Sequence, residues 1–227
     1  MTASLIRALQ FGDSMFPVGA FSFSGGLESA VESGIVSDRE TLHEFVATAA
    51  HTAARCDGVA LLHAHRATLA SSLEGVRAAD NAVFQRKLNE EQRTMTVRMG
   101  RKLAETGAQV APLPLSVAWL AAIVHGETPG TYPVGLGMLA AELGLSESDA
   151  FAMHQYGAAS MMLGAAVRLL RVSHFDTQSI LFAVNAAAAD EYDAVSRLAL
   201  DDMATFAPTT DILAALHVTA HVRMFMN

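Results

Sequence analysis

The chain has one cysteine, Cys56, and only two lysines, Lys87 and Lys102, in 227 residues. A single cysteine excludes an internal disulfide framework and fits the reducing cytoplasm. The shortage of lysine, with a net charge of −8, argues against nucleic acid, whose phosphates demand a basic face. Charged residues amount to 17%, against roughly a quarter in an average domain. So few charges cannot cover the surface, which leaves apolar area for partners or self-association. The N-terminus has no basic segment followed by an uninterrupted apolar core, so no secretory signal is expected. Two stretches without formal charge, 106–126 and 150–167, approach membrane length. Pro112 and Pro114 break the first, and the second carries His154, Gln155 and Tyr156, a pattern of buried helices rather than bilayer spans. Period-two alternation between turn signals is also missing, and with it any sign of a sheet.

What is present is helical periodicity and a 52% hydrophobic composition, enough for a large core. The expected fold is all-α, a single-domain helical bundle over 1–227 with about eight to ten helices. Helices are expected over Ser4–Phe11, from Ser24 or Gly25 to a left-handed cap at Gly34, and from a capping box at Ser37–Glu40. The chain breaks or bends near Asp57–Gly58 and continues helically from Val59 to Leu69. One long amphipathic helix is expected over Arg77–Thr106, stopping at Gly107, then a helix from Pro114 to Val124. Tyr132–Pro133 precedes a short one ending at Gly144, and Ser146 or Ser148 caps a segment running to Arg171. A further helix or helix pair covers Thr177–Met203, and Pro208 precedes a last one reaching Phe225.

The segment Leu9–Glu28 packs Gly, Ser, Pro and aromatic residues between helix-compatible stretches. Ordering so much glycine is costly in entropy, which points to a segment that uses its backbone. No P-loop pattern is present, and no lysine precedes Lys87, which excludes a Walker-type site. Gly135-Leu136-Gly137-Met138-Leu139-Ala140 matches a dinucleotide fingerprint formally. It follows Tyr-Pro rather than a strand, so its glycines are expected to let helices pack closely. Ser22-Phe23-Ser24-Gly25-Gly26 is a near miss to a nucleophile elbow, which keeps a serine hydrolase using Ser22 or Ser24 as an alternative. His217 and His221 share a helix face and are weak candidates for a metal, as in a nickel carrier, but no third ligand stands nearby. Cys56 has nothing beside it to lower its pKa and reads as a buried small residue. Arg93, Arg98, Arg101 and Lys102 form the basic cluster, either a solvated face paired with Glu90, Glu91 and Glu105 or a docking site for an acidic partner.

Several blocks stand in order along the chain. The first is Leu9-Gln10, Asp13-Ser14, Pro17-Val18-Gly19 and Phe21-Ser22-Phe23-Ser24-Gly25-Gly26-Leu27-Glu28. Arg93 with Arg98-Met99-Gly100-Arg101, then Tyr132-Pro133-Val134-Gly135-Leu136-Gly137, follow. Phe206-Ala207-Pro208-Thr209-Thr210-Asp211-Ile212 and a tail of His217 with Arg223-Met224-Phe225-Met226 complete the set. In content and order these blocks resemble the urease accessory protein F (UreF) family. The resemblance implies an all-helical cytoplasmic protein with no catalytic site and no cofactor. It further implies work with a second accessory protein, D or H, a nickel-binding GTPase (protein G), and apo-urease reached through that complex. There the active-site lysine is carbamylated and nickel is inserted. Relatives can dimerise, so a homodimer is expected; nucleic acid and membrane are not. The partner-binding residues it suggests are Asp13, Ser14, Pro17, Gly19, Phe21, Ser24, Gly26, Glu28, Arg93, Arg98, Arg101, Tyr132, Asp211, His217 and Arg223.

Overall fold

A computed structural model describes residues 2–13, 15–205, 207–209, 212–213 and 224–225. Among them the fold is all-α: nine helices of eleven residues or more and two shorter ones, with no strand. They are α1 (Thr2–Gly12), α2 (Leu27–Glu32), α3 (Arg39–Ala53), α4 (Val59–Leu69), α5 (Leu73–Gln85) and α6 (Glu90–Val110). Then come α7 (Pro114–Val124), α8 (Tyr132–Glu142), α9 (Glu147–Leu169), α10 (His174–Asn185) and α11 (Ala188–Val195). No described helix is long and apolar enough to cross a membrane.

Several boundaries move from where the sequence pattern places them. The helix expected over Arg77–Thr106 is two, because Arg86–Asn89 turns and Asn89 caps α6 by accepting the Gln92 N–H at 2.8 Å. Gly107 lies inside α6 rather than ending it. Cap competition shifts α3: Asp38, not Ser37, accepts the Thr41 N–H at 2.9 Å, and the Thr41 hydroxyl answers the Asp38 N–H at 3.2 Å. Asp57–Gly58 does not break the chain. A π-helical turn over Ala54–Gly58 joins α3 to α4 instead. The Thr177–Met203 stretch resolves into α10, α11 and a 3-10 turn at Leu200–Asp202. The helix expected after Pro208 lies mostly outside the described residues.

Two apolar clusters form the interior. One is built around α4 and α8, with Trp119 of α7 and Phe151 of α9 fully buried in it. The other gathers Leu27, Leu42, Val46, Leu163 and Ile180, with Phe225 among them. Helix α9 serves both: its first half packs in one cluster and its second half in the other. At 1.5 Å per residue its 23 residues span about 34 Å, long enough for that double duty. The fingerprint-like glycines do what close packing asks of them. A Cβ on Gly137 would run into the Leu61 carbonyl of α4, and one on Gly135 would sit 2.8 Å from the Trp119 ring.

Candidate functional site

The glycine-rich segment crosses the seam between the two clusters. Phe11, Val18 and Phe23 are anchored in the first, and Leu27 in the second. Between those anchors the backbone folds back on itself. The Asp13 carboxylate accepts the Met15 N–H at 2.8 Å, and Gly19 starts the 3-10 turn Ala20–Ser22 at φ 80°. Gly25 and Gly26 follow at φ 64° and 84°, a left-handed pair that side chains other than glycine's resist. This pair delays the helix expected from Ser24, so α2 starts at Leu27 with Gly26 as its N-cap. The result is an ordered turn that lifts Phe21 into solvent, 75% exposed. Its main chain is pinned from behind, where Arg168 Nη2 donates to the Phe21 carbonyl at 3.0 Å.

Behind this segment lies a cavity of about 460 Å³. Asp13, Phe21, Gly26 and Tyr132 line it together, so four residues scattered in sequence meet at one place. Pro17 is exposed on the same segment. Ser24 is fully buried and its hydroxyl faces the Glu28 N–H at 3.4 Å, and Glu28 is buried as well. Both therefore serve the interior of the segment rather than its surface. The basic residues of α6 do not line the cavity. Arg93 reaches back to the Lys87 carbonyl at 2.8 Å and stacks over Phe84, while Arg101 and Lys102 pair with Glu105 at 3.0 and 2.9 Å. Those pairs hold the Glu105 carboxyl below its ordinary range, Lys102 most of all. Arg98 is exposed on the same helix. Ser14, Asp211, His217, His221 and Arg223 lie outside the described residues.

The cavity floor holds a buried polar group that sequence reasoning missed. Lys87 donates to Asp57, and His154 Nε2 stands 3.9 Å from the other Asp57 oxygen. The π-turn presents Asp57, and the Gln155 amide supports that turn by donating to the Ala50 carbonyl at 3.0 Å and accepting the Ala54 N–H at 3.2 Å. Burial drives the His154 pKa below its ordinary value, partly opposed by the Asp57 charge, and its Nδ1 has no hydrogen-bond partner among the described residues. Desolvation pushes the Cys56 thiol up to about 12, so Cys56 is inert at neutral pH as expected. Tyr132, its ring centroid 6.3 Å from that of His154, is likewise pushed up to about 12 by burial. Two signals for this group were in the sequence: one of only two lysines, and a His-Gln-Tyr interruption in an apolar run.

A pH dependence follows from His154. Its folded pKa lies below the unfolded value of 6.5, so the unfolded chain takes up a proton first and stability falls as pH drops below that point. The slope from this group is at most about 1.4 kcal/mol per pH unit. Urea unfolding at pH 7.5, 6.5 and 5.5 is expected to show His154→Gln losing less stability across that window than the wild type. Equal losses would mean His154 is protonated freely in the fold.

For the hydrolase alternative the geometry offers little: no strand precedes Ser22 among the described residues, and Ser24 is sealed inside. The arrangement is that of an all-helical protein presenting an ordered turn with an exposed aromatic ring. The UreF family model matches residues 36–185. The urease accessory protein UreF 2 of Brucella canis is 53% identical over 223 residues, covering 98% of this chain and 92% of that protein. UreF of Yersinia enterocolitica is 50% identical over 228 residues, the full length of both. The chain belongs to the UreF family of urease accessory proteins.

Proposed function

We propose that this chain is a non-catalytic maturation factor for nickel urease. In this reading it acts as a scaffold with accessory protein D or H and regulates the nickel-delivering GTPase. The assembly docks on apo-urease, where the lysine is carbamylated and nickel, the cargo, is inserted. The work takes place in the cytoplasm, with a homodimer as the acting form and no bound cofactor. The observation that carries the reading is the Phe21 turn. A phenyl ring 75% exposed on a backbone held by left-handed glycines and Arg168 gains nothing from folding alone, and suits a preorganised protein contact. Met15 on the same segment, and Leu5, Ile6 and Leu9 on α1, are exposed apolar side chains as well.

The test is capture of the GTPase from cells carrying a complete urease cluster, with urease activity measured in parallel. Phe21→Ala is expected to cut both by about tenfold or more, in line with the loss of an aromatic anchor worth 2 kcal/mol or above. Arg101→Ala is expected to do less, since Arg101 is paired on its own helix with Glu105. Capture and activation both intact in Phe21→Ala would remove the turn as the docking surface.

A further inference from the structure

Residues 39–69 run as one rod, in which the π-helical turn Ala54–Gly58 joins α3 to α4. The rod changes clusters at that turn: Leu42 and Val46 lie in one, Val59, Leu61 and Leu62 in the other. A π-turn holds one residue more than the α-turn it replaces and is rare, so its neighbours must favour it. Here they do so at four points. Gly58 lets the turn lie against the buried Phe151 ring, which a Cβ would approach to 2.5 Å. One helical turn further along α9, the Gln155 amide bridges the Ala50 carbonyl and the Ala54 N–H at 3.0 and 3.2 Å. The Arg55 carbonyl accepts the Ala204 N–H at 3.3 Å from outside the rod. Last, Asp57 is ion-paired with Lys87, the two side chains 15% and 11% exposed.

A buried ion pair is a weak source of stability, because the desolvation of two charges offsets their attraction. Its geometry is demanding, which suits it to specifying one arrangement over another. We infer that the Asp57–Lys87 pair is a register lock: it selects the π-turn over a regular α-turn and so fixes α3 against the rest of the fold. The competing arrangement is close by, since a one-residue slip of a helix is about 1.5 Å of rise and about 100° of rotation. Helix α4 cannot take up that slip, because Gly137 of α8 is packed directly on the Leu61 carbonyl. The slip falls on α3, whose Ala49, Thr52 and Ala53 line the cavity. A rotation of that size carries these three residues off the wall and brings other α3 side chains round. The pair on the cavity floor thus sets the shape of the cavity wall. This is a property of the chain alone and stands whatever the Phe21 turn meets.

Spin labels on Glu44→Cys of α3 and Glu74→Cys of α5 report the register as a distance in the full-length protein. Both sites are exposed, and the native Cys56 is buried and takes no label. In this background the apolar pair Asp57→Leu with Lys87→Met is expected to keep or raise the urea midpoint. It should also split the single distance into two, with the Ala54–Gly58 amides exchanging about tenfold faster. Deleting Arg55 from the same variant removes the surplus residue and leaves one register, so a single distance is expected to return. One unchanged distance in the apolar variant would overturn the lock. A lower urea midpoint would mark the pair as an ordinary stabilising contact and overturn it too. A spread of distances that the deletion does not narrow would show general loosening and end the proposal.

Discussion

Asp80→Ala is expected to lower the free energy of unfolding by about 4 kcal/mol, among the largest losses a single substitution produces. Asp80 is fully buried in α5 and accepts four hydrogen bonds from one loop. The Thr128 and Thr131 hydroxyls donate at 2.6 Å each, and the Gly130 and Thr131 N–H groups at 2.8 Å each. Removing the carboxylate frees the hydroxyls to turn elsewhere, but the two N–H groups cannot move without unfolding the loop. A buried donor left unmet costs about 1–3 kcal/mol, and two such donors account for the figure. For a chain of this size each kcal/mol corresponds to about 2–4 °C, so the melting temperature should fall by roughly 8–16 °C. Asp80→Asn should recover little, because its NH2 faces donors where an acceptor is required. Chemical denaturation of the three proteins decides the matter; an asparagine variant as stable as the wild type would show that the charge plays no part.

Gly100→Ala is the second, with an expected loss of about 3 kcal/mol from one methyl group, at the upper end of overpacking effects. A Cβ at position 100 would collide with the Gly130 carbonyl and lie 2.5 Å from Thr131 C and 2.7 Å from Tyr132 N. These are backbone atoms, with no rotamer available to yield. They also belong to the loop that Asp80 holds in place. The two substitutions should therefore combine less than additively, since a loop already freed from Asp80 can retreat from the new methyl. A double-mutant cycle measured by urea unfolding is expected to give a coupling of about 1 kcal/mol or more. Strict additivity would show that the loop does not move as a unit. The loop ends at Tyr132, which lines the cavity behind the Phe21 turn.

Gly100 illustrates how far the sequence can be read. Its Met-Gly-Arg block read as part of a basic cluster, either a solvated face or a docking site, since the arginines are visible as charges and the glycine is not visible as a contact. The fold shows the glycine to be where α6 meets the loop before α8, which joins the Met99–Arg101 and Tyr132–Pro133 blocks in one packing arrangement. Glu28 was legible as a residue of the glycine-rich segment but not as a buried acceptor, because two of its donors lie 196 and 197 residues away. Lys87 and His154 stand out in the sequence, one as a rare lysine and the other in an apolar run, but their partnership with Asp57 does not, because only the packing of a π-turn, a helix link and α9 brings the three together.

By itself the sequence determined the helical class, the Pro114–Val124 helix, a serine cap for α9 at Ser146 or Ser148 and the blocks that mark the family. Those depend on interactions within a few residues, or on patterns retained along the chain, and so are written locally. Tertiary structure alone decided which glycines carry close contacts, which charges are buried and paired, and how a turn near residue 21 is tied to Arg168. These depend on desolvation and on distances between elements remote in sequence, and no local window contains them.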